Sequence, residues 1–205
     1  MTVIGLVGKI GSGKSVFAAY LKELGAAVVN ADQIARQIVE PNLPAWKEIA
    51  DTFGQAYFLP DGHINRPKLA QKIFAADASR LQLNAITHPR IRSEAALQIA
   101  AYKKEGYALI VLEAAVLLEA GFAEMVDEIW LLESMHEDIY QRLEKRDGLD
   151  IASADMRLQA QLSNEEMEKK ADLVIINNGT LEDLSQKAKD LYNRATGKLK
   201  NIEKN

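Results

Sequence analysis

The chain has 205 residues, 48% apolar and 26% charged, with a formal net charge of −4 and no cysteine. That length suits one α/β domain carrying a sizeable insertion and is too short for two independent enzymes, and the balance of residue types is that of a soluble globular protein. The charge offers no global field for nucleic acid or an anionic membrane, so any anion site must be local, and the missing thiols exclude a disulfide framework, a thiolate metal site and a cysteine nucleophile.

Thr2 to Val7 is a short apolar run interrupted by Gly5, far below signal or membrane-span length and preceded by no basic region, so the cytoplasm is the expected compartment. It reads as a buried strand. Behind it stands Gly8-Lys9-Ile10-Gly11-Ser12-Gly13-Lys14-Ser15, the pattern G-x-x-x-x-G-K-[ST]. Glycines let backbone approach phosphate oxygens, and successive N–H groups with the following helix N-terminus form a positively polarised cradle. Lys14 would reach the β- and γ-phosphates of a nucleoside triphosphate, and the Ser15 hydroxyl is placed to ligate the Mg²⁺ that bridges them. The bland alternative is a glycine-rich turn. Against it stand the strand before the loop and the helical spacing of Val16, Phe17, Tyr20, Leu21 and Leu24 after it, closed by Gly25.

Ala27 to Asn30 is the second strand candidate, and Asp32 lies just past it, at the rim where open parallel sheets bind ligands. Asp32 either faces the phosphate loop or caps a helix over Gln33 to Val39. No comparable strand follows until Tyr107. The interval holds a helix from Pro44 to Phe53 ending in Gly54, a Pro60-Asp61-Gly62 turn, a helix to Phe74 with Asn65 as N-cap, and a longer helix opened by Pro89 and running to about Lys104. His88 there is either a contact or a packing residue.

Tyr107 to Glu113, Asp127 to Leu132 and Asp172 to Asn177 complete five strands that alternate with helices, the signature of a parallel sheet covered on both faces. Glu113 either orders a metal's water shell or caps a neighbouring helix. Ser134-Met135-His136-Glu137 has the form of a capping box opening a helix to Arg146, closed by Asp147-Gly148. A further helix is expected over Ser153 to Ser163. Arg142, Lys145, Arg146 and Arg157 crowd this stretch, either near the γ-phosphate or as a solvated face. Thr180 to about Ala195 forms the last helix, and Thr196 to Asn205 is a polar tail expected to fray.

Taken with the phosphate loop, Asn30-Ala31-Asp32-Gln33-Ile34-Ala35-Arg36, Phe53-Gly54, Ile64-Asn65-Arg66, His88-Pro89 and Asn177-Asn178-Gly179 closely resemble dephospho-coenzyme A kinase, over residues 2 to about 192. Residues 114–121 and 146–149 look most like the kinase domain of animal bifunctional coenzyme A synthase, without room for its adenylyltransferase half. The resemblance implies a P-loop kinase fold: a five-stranded parallel sheet flanked by helices, core about 1–35, 106–139 and 171–195, with a helical acceptor-binding insertion about 36–105 and a helical lid about 140–170.

It further implies that ATP and Mg²⁺ serve transfer of the γ-phosphoryl to the ribose 3′-hydroxyl of dephospho-coenzyme A, the last step of coenzyme A synthesis. The alternative is another small-molecule or nucleotide kinase of the same fold. Asp32 matches the catalytic base, Lys14 and Arg146 complete the catalytic set, and Arg146 belongs to a lid over ATP. Residues Gly8 to Val16, Asn178 and Gly179 would hold ATP; Asp32, Arg36, Arg66, His88, Leu117 and Glu119 would hold the acceptor. Neither nucleic acid nor membrane is an expected partner, and a monomer is favoured. Three departures stand out: Lys9 replaces a second glycine, Ala115 a frequent proline, and Asn30 the first of two aspartates, of which the second, Asp32, is retained.

Overall fold

A computed structural model describes residues 1–148 and 150–197, with the side chains of all of these except Phe74, His136, Arg146 and Asp147. Five strands form one parallel sheet: β1 (Thr2–Val7), β2 (Ala27–Asn30), β3 (Leu109–Glu113), β4 (Glu128–Glu133) and β5 (Leu173–Ile176). Their order is β2-β3-β1-β4-β5. β1 is therefore central and the connections reverse direction across it, which places the ligand-binding crevice of such a sheet at its C-terminal end. β3 is buried at every position, as a strand covered on both faces must be.

Helix α1 (Lys14–Glu23) covers one face with α9 (Leu181–Ala195) beside it. Phe17 and Leu21 pack with Ile4, Leu6, Trp130, Leu132, Leu184 and Tyr192 in one core. Gly25, at φ +108°, lets the chain leave α1 against the Tyr192 hydroxyl, which a Cβ would approach to 3.0 Å. Helices α6 (His136–Asp147) and α7 (Ile151–Gln159) pack through Ile139, Leu143, Ala154 and Leu158, and Ile10 of the phosphate loop sits against that cluster. The short α8 (Asn164–Glu168) follows.

Residues Ala31–Leu97 form a compact unit of their own. It contains α2 (Ala31–Gln37), α3 (Pro44–Phe53), α4 (Arg66–Ala75) and most of α5 (Asp77–Lys104). Its core gathers Val39, Ala45, Ile49, Leu69 and Ile86, with Trp46 edge-on to Phe58 at 5.1 Å between ring centroids.

Four local expectations are corrected. α2 starts at Ala31, so Asp32 lies in its first turn and is not its N-cap. Pro89 lies inside α5 rather than at its start: Ile86 and Ile91 are buried on either side, and burying them outweighs the lost backbone hydrogen bond. The Arg90 guanidinium donates to Ile86 O at 2.5 Å and the Thr87 hydroxyl to Leu83 O at 2.9 Å in the same turns. Ser134 caps nothing, because its hydroxyl is engaged across the sheet rim and Met135 takes the N-cap position of α6. The helix expected over Ser153 to Ser163 is α7, which starts earlier at Ile151, capped by Asp150, and ends at Gln159, while Ser163 instead caps the separate α8 in a reciprocal box with Glu166. Asn65 caps α4 as the sequence indicates, and the last helix, expected from Thr180 to about Ala195, is α9 with Thr180 as its N-cap. Of the polar tail, residues 198–205 lie outside the described residues.

Candidate active site

The phosphate loop turns from the C-terminal end of β1 into α1. A Cβ on Gly8, at φ +146°, would stand 2.3 Å from Leu132 O, and one on Gly13, at φ +100°, 2.5 Å from Asn177 Nδ2. Both positions therefore demand glycine on conformational and steric grounds. The Lys14 side chain folds back over the loop. Its ammonium donates to Gly8 O at 2.7 Å and to Lys9 O at 3.0 Å, and the residue is 8% exposed. A cation is thus fixed in the concavity where phosphate charge would collect.

At the head of α1 the Ser15 hydroxyl donates to Glu113 Oε1 at 2.6 Å, while Asn30 Nδ2 donates to Glu113 Oε2 at 2.8 Å. Glu113 is 4% exposed. Of the two readings open for Glu113, helix capping is not what it does here. It holds the hydroxyl that follows the loop lysine. This all-oxygen pair, a hydroxyl backed by a buried carboxylate, suits Mg²⁺, which takes few protein ligands and completes its shell with phosphate and water.

The outer side of the loop is braced by Asn177, Arg142, Ser134 and Gln161, a role that the sequence patterns around them did not indicate. Asn177, buried at the end of β5, donates through Nδ2 to Ser12 O at 2.8 Å. Arg142 of α6 donates to Ser134 Oγ at 2.9 Å and to Gly11 O at 3.2 Å, and reaches Ser12 O at 3.4 Å. It is therefore not a member of a solvated face. Ser134 Oγ lies 3.1 Å from Ser12 O and 2.9 Å from Asn177 O. Gln161 Oε1 accepts the Ile10 N–H at 2.9 Å. The available signal was a polar residue just past an apolar strand, Asn177 after β5 and Ser134 after β4. Glu133, at the end of β4, has its pKa raised by burial and by hydrogen bonding and repulsion from Glu168, with Lys9 opposing.

Among the remaining candidates in this part of the chain, Asn178 is exposed and its Oδ1 accepts the Met135 N–H at 3.0 Å, with exposed Gly179 next to it. Val16 is exposed on α1. Glu119 Oε1 accepts the Leu162 N–H at 3.2 Å. Leu117 is fully buried and packs as a core residue, 2.8 Å from where a Cβ of Gly5 would stand. Arg146 lies in α6, and its side chain is outside the described residues.

In the unit 31–97, Asp32 and Arg36 stand four residues apart on α2, on one side of the helix, and both are exposed. Arg66, first residue of α4, reaches Arg36 O through Nη2 at 3.4 Å. Its pKa is lowered by burial and by repulsion from Arg36, with Glu40 partly compensating. Two guanidinium groups brought this near are a pair that an anion stabilises. His88 is half-buried within α5.

A strand–loop–helix phosphate cradle with its lysine and hydroxyl in place, at the C-terminal rim of a five-stranded parallel sheet, defines a P-loop kinase fold. Shikimate kinase from Acinetobacter baumannii has the same fold, with a TM-score of 0.56 at 19% identity over 97% of this chain and 96% of that one. The family model for dephospho-CoA kinase matches residues 2–183. Dephospho-CoA kinase from Geobacter sulfurreducens is 42% identical over 192 residues, 94% of this chain and 98% of that protein. The structure of dephospho-CoA kinase from Campylobacter jejuni aligns with a TM-score of 0.70 at 27% identity, over 96% of this chain and 98% of that one. The chain belongs to the dephospho-CoA kinase family, and is accordingly an enzyme, an ATP-using kinase of coenzyme A biosynthesis. Among the described residues no helix is long and apolar enough to cross a membrane.

Proposed function

We propose that this chain transfers the γ-phosphoryl group of ATP to the ribose 3′-hydroxyl of dephospho-coenzyme A, giving coenzyme A and ADP. The observation that carries the reading is the Ser15–Glu113 hydrogen bond of 2.6 Å beside a buried Lys14, on a chain that the family model matches over 2–183. Phosphoryl transfer asks mainly for positioning and charge stabilisation. The loop N–H groups and Lys14 bind the β- and γ-phosphates. Ser15 Oγ, backed by Glu113, would hold Mg²⁺, which when bound screens phosphate charge. Asp32 accepts the 3′-hydroxyl proton as the oxygen bonds to phosphorus and the bond to the ADP oxygen breaks. Arg36 and Arg66 hold an acceptor phosphate, which relieves the repulsion between them.

Asn178 and Gly179 flank the adenine, and Arg146 closes over ATP from a lid of residues 140–170. Residues 36–105 carry the acceptor site, with His88 and Glu119 contributing to it and Leu117 shaping it from the core. The enzyme works as a cytoplasmic monomer without nucleic acid. The test is coupled ADP release with and without dephospho-coenzyme A. Release dependent on that acceptor is expected. Release stimulated instead by another alcohol, with dephospho-coenzyme A inert, would overturn the acceptor assignment.

A further inference from the structure

Asn30 and Glu113 are register partners on the adjacent parallel strands β2 and β3, so their side chains leave the sheet at one level and on one face. Together with Ser15 they form a hydrogen-bonded row: Asn30 Nδ2 to Glu113 Oε2 at 2.8 Å, and Ser15 Oγ to Glu113 Oε1 at 2.6 Å. Each oxygen of the Glu113 carboxylate therefore accepts a short bond, and the residue is 4% exposed. The amide at position 30 supplies a donor that a carboxylate lacks. An aspartate in its place would stand beside Glu113 as a second acceptor with a second negative charge, and like charges in contact repel unless a cation joins them. Two adjacent carboxylates attract a divalent cation more strongly than one, because the cation relieves their mutual repulsion. A single carboxylate already holding two donors binds it weakly on its own, because Mg²⁺ gives up its water reluctantly and needs phosphate oxygens to complete its shell.

We propose that Asn30 is a positioning residue that fixes Glu113 against the Ser15 hydroxyl and thereby makes divalent-cation binding at this row conditional on nucleotide phosphates. The inference rests on the metal-assisted phosphoryl transfer described above and deepens it: Asn30 acts through Glu113, and it sets when the cation enters.

The test uses the full chain as wild type, Asn30→Asp, Asn30→Ala and Asn30→Ser, with Mn²⁺ as a paramagnetic probe of free-cation binding and Mg²⁺-dependent ADP binding as the second readout. In the absence of nucleotide, Asn30→Asp is expected to bind Mn²⁺ at least about tenfold more tightly than wild type, the scale of one charge-assisted interaction. Asn30→Ala is expected to require about five- to tenfold more Mg²⁺ for half-maximal ADP affinity, and Asn30→Ser, which keeps a donor, to recover part of that loss; a purely structural role would not follow the donor. Should the alanine variant fold poorly, the serine and aspartate variants carry the readout. Free Mn²⁺ binding in Asn30→Asp no tighter than in wild type, an unchanged Mg²⁺ requirement in the folded alanine variant, or a serine variant impaired as much as alanine, overturns the proposal. Metal behaviour as expected in a wild type that does not turn over dephospho-coenzyme A would overturn the acceptor reading alone.

Discussion

Replacing Arg142 by methionine keeps the aliphatic stem and deletes the guanidinium that braces the phosphate loop from α6. Two of its contacts, to Ser134 Oγ at 2.9 Å and Gly11 O at 3.2 Å, fall within the ordinary range for N–H···O bonds, while those to Ser12 O at 3.4 Å and Asn177 O at 3.5 Å are weaker. A hydrogen bond from a charged donor contributes about 1.5–3 kcal/mol when well buried. The side chain is 36% exposed, so two such bonds are discounted to about 2 kcal/mol together. The ion pair to Asp138, at 3.9 Å and equally exposed, adds little. For a domain of this size about 2 kcal/mol corresponds to a fall in Tm of roughly 4–8 °C. The assay is thermal unfolding of nucleotide-free protein, followed by titration with a non-hydrolysable ATP analogue, whose affinity is expected to weaken because the Ser12 and Gly11 carbonyls lose a fixed partner. A Tm within about 1 °C of wild type and an unchanged affinity would refute the bracing argument, since water would then be replacing the guanidinium without loss.

Lys14→Ala is expected to keep the overall fold with a less stable phosphate loop and to lose at least about 10²-fold in turnover, roughly 2.7 kcal/mol of transition-state stabilisation, measured at saturating ATP and Mg²⁺. Asp32→Asn should keep acceptor affinity within about twofold while the phosphoryl-transfer rate falls about 10²-fold or more in single-turnover measurements; near-normal rates would remove Asp32 from the chemistry. Burial and repulsion from Glu168 raise the Glu133 pKa from its ordinary value, so its protonated form stabilises the fold in acid and that contribution is lost as pH rises. Glu133→Gln, uncharged throughout, should therefore gain stability relative to wild type as pH increases from about 4 to 7 in thermal melts, whereas parallel curves would show that Glu133 does not titrate in this window.

The inner strands were legible because a parallel strand covered on both faces is written as an unbroken apolar run, as in Leu109 to Leu112, whereas the edge strand β5 shows the same apolar run with Val174 and Ile176 exposed. The phosphate loop was legible because Gly8 and Gly13 leave no room for a Cβ. What local pattern misjudged was decided by distant partners. Ser134 looks like a helix cap until Ser12 of the phosphate loop and Asn177 beyond β5 engage its hydroxyl. Pro89 looks like a helix start until burial of Ile86 and Ile91 carries the helix through it. Charge spacing alone cannot separate a solvated arginine from Arg142, two of whose acceptors, Gly11 O and Ser12 O, lie more than a hundred residues away in the chain. The Asn30–Glu113 pair depends likewise on β3 lying next to β2, a neighbour relation absent from the linear sequence.

The folded-back Lys14 has a consequence for how nucleotide affinity is assembled. Its ammonium is already stripped of most of its water and bonded to Gly8 O and Lys9 O. The dehydration of this cation is therefore completed when the chain folds, and an arriving phosphate exchanges one set of oxygen acceptors for another instead of displacing a hydration shell. Binding at this residue is then a swap of partners with little net change in solvation. Substitutions that merely lengthen or shorten the reach of the cation would disturb the stability of the loop and its hold on nucleotide together.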